Sequence, residues 1–413
     1  MFRKSARLLI SAFLCGALLL PLTAARAASP AGIAFSTADQ FTANQKTGLS
    51  DQEVVIGSCA PLTGQQKIRG MAVVHGGKAY FDYINESGGV NGRKLKLISC
   101  DDHYNVNDGA ISCFNTCLKD KVFLGALFQG TASAAKYVPL SESHHIPMVG
   151  FSTGGEFIIK PTHPYAFQLR ASYTDEAAEQ VEVLLHDLHL HKIALIYQDD
   201  AYGAACRQGV MQAMRRNGSD LAAEVSYPRL ATDVSPMIAQ IKTSKPEAVI
   251  IGGAGDAVAT LVKRKAELGP HVLMVSFSSS TDLLTEEAGK SADGTLVSQV
   301  LPLTYKDLPT VLLYKKLCQK YLHEEPSESG FEGFLIGMAV VEGLKRAGRD
   351  LTRDGFVKAM NSIHDVDIGL GTNFKLNFSP NQHDGLQGKV FMTKIKNGEI
   401  EPVLDWNKFK ASI

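Results

Sequence analysis

The chain has 413 residues, 45% hydrophobic and 20% charged, with 42 basic side chains against 42 acidic ones. That is the make-up of a globular protein too long for one small core, and it excludes disordered and collagen-like classes. The missing basic excess argues against nucleic acid as a partner.

The first element is a leader. Arg3, Lys4 and Arg7 precede an apolar run over residues 8–22, and Ala25-Arg26-Ala27 has the small-x-small form that signal peptidase cuts. Cleavage is expected after Ala27, which removes four basic residues and leaves 38 against 42 acidic. Residues 28–50, rich in Ala, Ser, Thr and Gln without periodicity, read as a flexible tether. Nothing later approaches eighteen uninterrupted apolar residues, so no direct membrane insertion of the mature chain is expected.

From there strands and helices alternate. Strand-like runs fall at 54–56, 95–99, 122–127, 147–150, 193–197, 248–251, 273–276 and 295–300, with helical runs between most of them. A βαβα order implies parallel sheets covered on both faces, and eight such strands favour two sheets in two lobes. Within this series, FDYINESGGVNGRKLKLISCDD (81–102) places Gly88, Gly89 and Gly92 between a helix and a strand. A phosphate loop needs the reverse order, strand then helix. The glycines are therefore expected to end the helix in left-handed conformations and turn the chain into a strand.

The runs LKLISCDDHY and IALIYQDDAY both close on Asp-Asp-x-Tyr. Turn formation or helix capping is the expected role of those aspartates. Their position at strand carboxyl ends is where open α/β sheets bind ligands. Gln129-Gly130-Thr131-Ala132-Ser133 follows a strand and opens a helix, which suits a carboxylate or other polar ligand end.

Other patterns carry less chemistry. Gly150-Phe151-Ser152-Thr153-Gly154 satisfies the G-x-S-x-G of a hydrolase elbow. Gly155, Pro161 and Pro164 then leave room for little more than one helical turn, so Ser152 reads as a cleft-lining hydroxyl. His186, His189 and His191 crowd a helix end, and His144-His145 form a pair; solvated imidazoles are expected there, and no metal. Of six mature cysteines, Cys59 and Cys100 end neighbouring strands and are the expected disulfide. Cys113 and Cys117, four apart on a helix, read as small buried residues.

Taken together, APLTG (60–64), INESGGVNGRKLKL, CDDHY, KVFLGALFQGTASAA, YQDDAYG (197–203) and FEGFLIGMAVVEGLKRAG resemble, in order, the blocks of periplasmic solute-binding proteins of the branched-chain amino-acid type, the receptors of ABC importers. The likeness runs from about residue 54 to the C-terminus. It implies an α/β chain of two Rossmann-like lobes, the type I periplasmic binding protein fold, joined by a three-segment hinge. The crossings are expected near 168–171, 299–302 and 377–380. Lobe 1 would then be 51–168 plus 302–377, and lobe 2 would be 169–301 plus 378–413.

The resemblance further implies a periplasmic monomer without cofactor or catalytic set, which passes a small-molecule ligand to an inner-membrane ABC permease. A secreted sensor of the same fold, or a hydrolase using Ser152, are the alternatives. The family's ligand contacts carry over to Gln129, Gly130 and Thr131, to Phe151, Ser152 and Thr153, and to Tyr202. The chain departs from the family pattern at Ala254, where an aromatic residue is expected. Ser278 stands where an acid would hold an ammonium, and Arg69 where a ring would lie. These departures point to a carboxylate or a neutral amide-like solute with an apolar body against Phe151 and Tyr202. Asp282, one turn onward, would restore an amino-acid site if it served as the acid.

Overall fold

The computed structural model describes residues 44–303, 307–387 and 389–412. The leader and residues 28–43 lie outside this range. Residues 44–50, read as tether, are held to the first lobe: the Asn44 amide donates to the His144 carbonyl at 2.6 Å, and the Arg353 and Asp354 amides bond Gln45 at 3.1 and 2.9 Å.

The first sheet has the order β2-β1-β3-β4-β5, all parallel, from β1 (Glu53–Ala60), β2 (Lys94–Asp101), β3 (Leu124–Gln129), β4 (Met148–Ser152) and β5 (Ala166–Phe167). Between them lie α1 (Lys67–Glu86), α2 (Asp108–Cys113), which continues into a wider turn over Phe114–Leu118, and α3 (Thr131–Ser143). Gly88 and Gly89, at φ 102° and 84°, end α1 as expected, and Asn91-Gly92 turns the chain through the Val90–Arg93 bridge into β2.

The second sheet repeats the winding as β7-β6-β8-β9-β10 and then adds β13 and β14 antiparallel at the far edge. Its parallel strands are β6 (Ile193–Asp199), β7 (Ala223–Pro228), β8 (Ala248–Gly252), β9 (Leu273–Ser276) and β10 (Leu296–Gln299), and the hairpin is β13 (Phe391–Lys396) with β14 (Glu399–Pro402). Helices α4 (Tyr173–Glu182), α5 (Ala201–Arg216), α6 (Ser235–Lys242) and α7 (Asp256–Lys263) cover it. Later the chain returns to the first lobe as α8 (Pro309–Leu317), α9 (Glu328–Ala347) and α10 (Arg353–Met360), followed by the short antiparallel pair β11 (Val366–Asp367) and β12 (Lys375–Leu376). Helix α9 lies so close on α1 that a Cβ on Gly76 would sit 1.8 Å from the Gly330 carbonyl, and one on Gly333 1.9 Å from that of Val73. Gly76 on α1 and Gly333 on α9 are what let the two backbones meet.

Among the described residues the chain passes between the two sheets three times. After β5 the chain enters α4, whose Tyr173, Ala177 and Val181 belong to a second-lobe core, and after β10, Val300 and Leu301 already pack in the first-lobe core. The third corrects the expectation. Phe378 and Leu386 remain in the first-lobe core, and the chain reaches the second sheet only at β13. The reason is that residues 384–386 run beside the first passage: Gln168 bridges Asp384 in parallel, and the Leu386 amide donates to Leu169 at 3.0 Å.

The cysteine expectation is also corrected. Cys59 and Cys100 are in register on β1 and β2, yet the bridges are Cys59–Cys113 and Cys100–Cys117, with Cα separations of 6.0 and 6.2 Å. Side chains opposite each other on parallel strands stand alongside and point the same way, which suits a disulfide poorly. The helix laid across that face presents Cys113 and Cys117 one turn apart, each above one strand cysteine. Cys206 and Cys318 are buried and unbridged.

Candidate functional site

Strand ends and helix starts build the site, as open α/β sheets dictate. From the first lobe, β3 runs into Gln129-Gly130, and Thr131 begins α3. The first amides of a helix lack intrahelical acceptors and carry its positive dipole end; here they sit beside the Thr131 hydroxyl. That hydroxyl lies 2.6 Å from the one on Thr153, which in turn reaches the Tyr173 phenol at 3.2 Å. The Gln129 side-chain oxygen is buried with no hydrogen-bond partner.

A small cavity between the lobes is lined from the first lobe by Arg69, Gln129, Gly130, Thr131 and Ser152, and from the second by Tyr202 and Ala254. All seven belong to the expected set. Three members do not line it. Phe151 points the other way along β4 and stacks on Phe128 with ring centres 5.1 Å apart. Thr153 stands one layer behind Thr131. Ser278 is tied back, its hydroxyl accepting from Arg170 at 2.6 Å and donating to Glu176 at 3.1 Å. Four lining residues escaped the sequence reading: Gln66, Tyr104, Tyr173 and Ser279. The Asp-Asp-x-Tyr ending was the signal for Tyr104, since its counterpart Tyr202 was singled out from the same pattern.

In each aspartate pair the second member does turn or capping work. Asp200 caps α5, accepting from the Tyr202 and Gly203 amides, and Asp102 accepts from the Tyr104 amide at 2.9 Å. Burial, opposed in part by that bond, pushes the Asp102 carboxyl above its usual range. Tyr202 is buried, with its hydroxyl 2.7 Å from that of Ser279 and its ring 5.0 Å from the Tyr173 ring.

Behind the cavity runs a row of alternating charge. Arg69 donates to Glu332 at 3.1 Å, Glu332 faces Arg170 at 3.7 Å, and Arg170 bonds Glu176. Burial works against the Arg170 charge, but Glu332 and Glu176 outweigh it and hold that proton more firmly than usual. Arg69 therefore enters the site already neutralised, and less of its charge is free for a ligand than its position in the sequence suggested. Ser152 lies inside this row: it accepts from Arg69 at 2.6 Å and donates to Glu332 at 2.7 Å. A hydroxyl so engaged is not paired with a histidine base, and only one turn, Glu156–Ile158, follows the strand. The elbow geometry of a hydrolase is not built here.

Asp282 lines an adjoining cavity that shares Gln66, Arg69, Ala254 and Ser279 with the first. Its two carboxylate oxygens accept from the Glu328 and Ser329 amides at 3.0 and 2.9 Å. The lobes are drawn together, and each cavity keeps about 10 Å³, the room of roughly one water. At the mouth, Arg229 of the second lobe donates to Asp200 and to the Tyr104 carbonyl of the first lobe, both at 2.6 Å, with its guanidinium 3.5 Å from the Tyr104 ring centre.

This geometry of two doubly wound lobes closing on a polar pocket has relatives. A family model for periplasmic binding proteins matches residues 53–399. The chain belongs to that family. It is 24% identical over 332 residues to Leu/Ile/Val-binding protein homolog 3 of Brucella melitensis, covering 78% of this chain and 86% of that one. A possible leucine/isoleucine/valine-binding protein from Rhodopirellula baltica superposes with a TM-score of 0.79 at 26% identity, over 87% of this chain and 98% of the other. An R. palustris ABC-transporter solute-binding protein in complex with benzoate gives 0.74 at 16% identity, over 85% and 95%. Periplasmic binding proteins are a family of solute-binding proteins and not of enzymes. Among the described residues no helix is long and apolar enough to cross a membrane, and no group of three or more His, Cys, Asp or Glu is placed to hold a metal ion.

Proposed function

We propose that this chain captures a small carboxylate with an apolar or aromatic body and hands it, as a monomer, to an inner-membrane ABC permease, after export with cleavage behind Ala27. The observation that carries the ligand class is the start of α3 facing three tyrosines. Amides of the first turn and the Thr131 hydroxyl suit a carboxylate, while Tyr104, Tyr173 and Tyr202 present ring surface to the remainder. A buried ammonium needs a carboxylate partner. Among the described residues lining the α3 cavity there is none, and Asp282 next door already serves two amides. The benzoate complex of the R. palustris protein supports the reading, since it is a fold neighbour that takes an aromatic acid.

The second reading is a branched-chain amino acid, favoured by the likeness to the Brucella and Rhodopirellula proteins named for leucine, isoleucine and valine. Asp282 would then release the α9 amides and turn to the ligand. Calorimetric titration of the mature protein with benzoate, 4-methylpentanoate and leucine separates the two. Micromolar binding of an acid without an amino group, with leucine at least about a hundredfold weaker, is expected; that ratio is the size of one unpaired buried charge. Micromolar leucine binding that Asp282→Asn abolishes would refute the proposal.

A further inference from the structure

The α9 amides that Asp282 engages belong to the opposite lobe. Asp282 follows β9 in the second lobe, where Leu283 and Leu284 pack into the sheet's core. Helix α9 is anchored in the first-lobe core by Phe331 and Phe334. Ser327 caps that helix in the ordinary way, accepting from the Gly330 amide at 3.1 Å. The two amides ahead of Gly330, those of Glu328 and Ser329, are the ones Asp282 takes. A carboxylate with one oxygen on each amide, at the positive end of a twenty-residue helix, is a strong charge-assisted contact. Both partners are buried, with Asp282 6% and Glu328 8% exposed. Parting the lobes breaks both bonds.

We infer that Asp282 is the closure latch of this protein: it docks the α9 N-terminus onto the second lobe, it positions the lobes without touching the solute, and its hold is coupled to a proton on Glu328. The Glu328 side chain enters the same buried contact, and its Oε1 has no hydrogen-bond partner. Asp282 faces it from the second lobe and Glu332 from its own helix, while Glu286, Glu325, Glu399 and Lys315 line the cavity into which the contact opens. Arg69 and Arg170 are engaged by Glu332, at 3.1 and 3.7 Å, so that Asp282, Glu286, Glu325 and Glu399 stand against the Lys315 ammonium and leave no counter-charge for an ionised Glu328. Burial first, then Asp282 and Glu332, hold its carboxyl well above the ordinary 4.5. Closure therefore favours the protonated Glu328 carboxyl, which gives up its proton more readily in the open protein, with Asp282 withdrawn and water admitted. Closing takes up a proton, so the closed population falls as pH rises above the ordinary glutamate range.

This inference rests on the closing-cleft reading but not on the identity of the solute. The test uses the mature protein without ligand, so its failure leaves the carboxylate assignment standing. Small-angle scattering and amide exchange are compared for wild type, Asp282→Asn and Glu328→Gln between pH 5 and 8. Expected for Asp282→Asn are a larger radius of gyration and exchange at Glu328 and Ser329 faster by about tenfold or more, the scale of hydrogen bonds to a charged acceptor. The wild-type radius should grow as pH rises. In Glu328→Gln, which keeps the backbone amide and the helix, the radius should be independent of pH. An Asp282→Asn protein with wild-type radius and exchange overturns the latch. A Glu328→Gln protein that keeps the wild-type pH dependence overturns the proton coupling. A merely structural Asp282 would lower thermal stability without moving either the radius or the pH profile.

Discussion

Glu332 is the acid on which two buried guanidinium groups depend, Arg69 at 3.1 Å and Arg170 at 3.7 Å, with Ser152 donating to the same oxygen. Removing one member of a buried charge set leaves the others uncompensated. Glu332→Ala should therefore lower unfolding free energy by about 3–5 kcal/mol, read as a fall in the denaturant midpoint; a midpoint within error of wild type would mean the row is solvated. A second residue acts in the opposite sense. Asp384, beside the first passage between lobes, is pushed up to about 7 by burial and by the charge of Asp175. Its folded value lies above the ordinary 3.8, so the unfolded chain binds fewer protons between these limits. Stability then falls as pH rises from about 4 to 7 and levels beyond. Asp384→Asn should flatten that fall in a series of thermal melts, and an unchanged profile would assign it to another group.

At the scale of elements, the bridges make the sharpest claim. Peptide mapping of the oxidised protein should recover Cys59 with Cys113 and Cys100 with Cys117. They close separations of 54 and 17 residues, so on chain entropy alone Cys113→Ser should lose about 4 kcal/mol and Cys117→Ser about 3. The sequence showed both cysteine pairs in their elements and still misled, because pairing depends on which way side chains face across a helix-on-sheet layer, which no spacing along one chain records. Most parallel strands were legible as short apolar runs with both faces covered, and edge strand β2 by its alternation in KLKLISCD. Edge strand β7 was not: in AEVSYP only Val225 and Tyr227 turn inward. The β13–β14 hairpin carried a readable mark in Asn397-Gly398, at φ 54° and 78°, the turn that joins such strands. The third passage was misplaced because residues 377–386 hold to the first lobe through contacts with Gln168 and Leu169, far off in sequence. In the site, helix-start and strand-end residues could be read from order alone. The fate of Arg69 and Ser278 could not, since it is decided by Glu332 and Glu176, acids at distances of 263 and 102 residues along the chain.

For the whole molecule, closure is the property on which function turns, and it has a contact at the cleft mouth as well as one deep inside. Arg229 joins Asp200 of its own lobe to the carbonyl and ring of Tyr104 in the other. Arg229→Ala should leave folding nearly unchanged, since the residue is partly exposed, but should shift the protein toward the open form. Scattering with a bound carboxylate would show a smaller contraction than in wild type, and an equal contraction would mean the mouth contact follows closure without favouring it. Both disulfides, by contrast, lie within the first lobe, and neither spans the cleft. Oxidation therefore stiffens one jaw and leaves the swing between jaws untouched, while the second jaw, with Cys206 buried and unbridged, owes nothing to the redox state of its surroundings. A molecule made in a reducing cytosol would be lopsided. One half would keep its full strength, and the other would lack the two cross-links that tie residues 113–117 to β1 and β2.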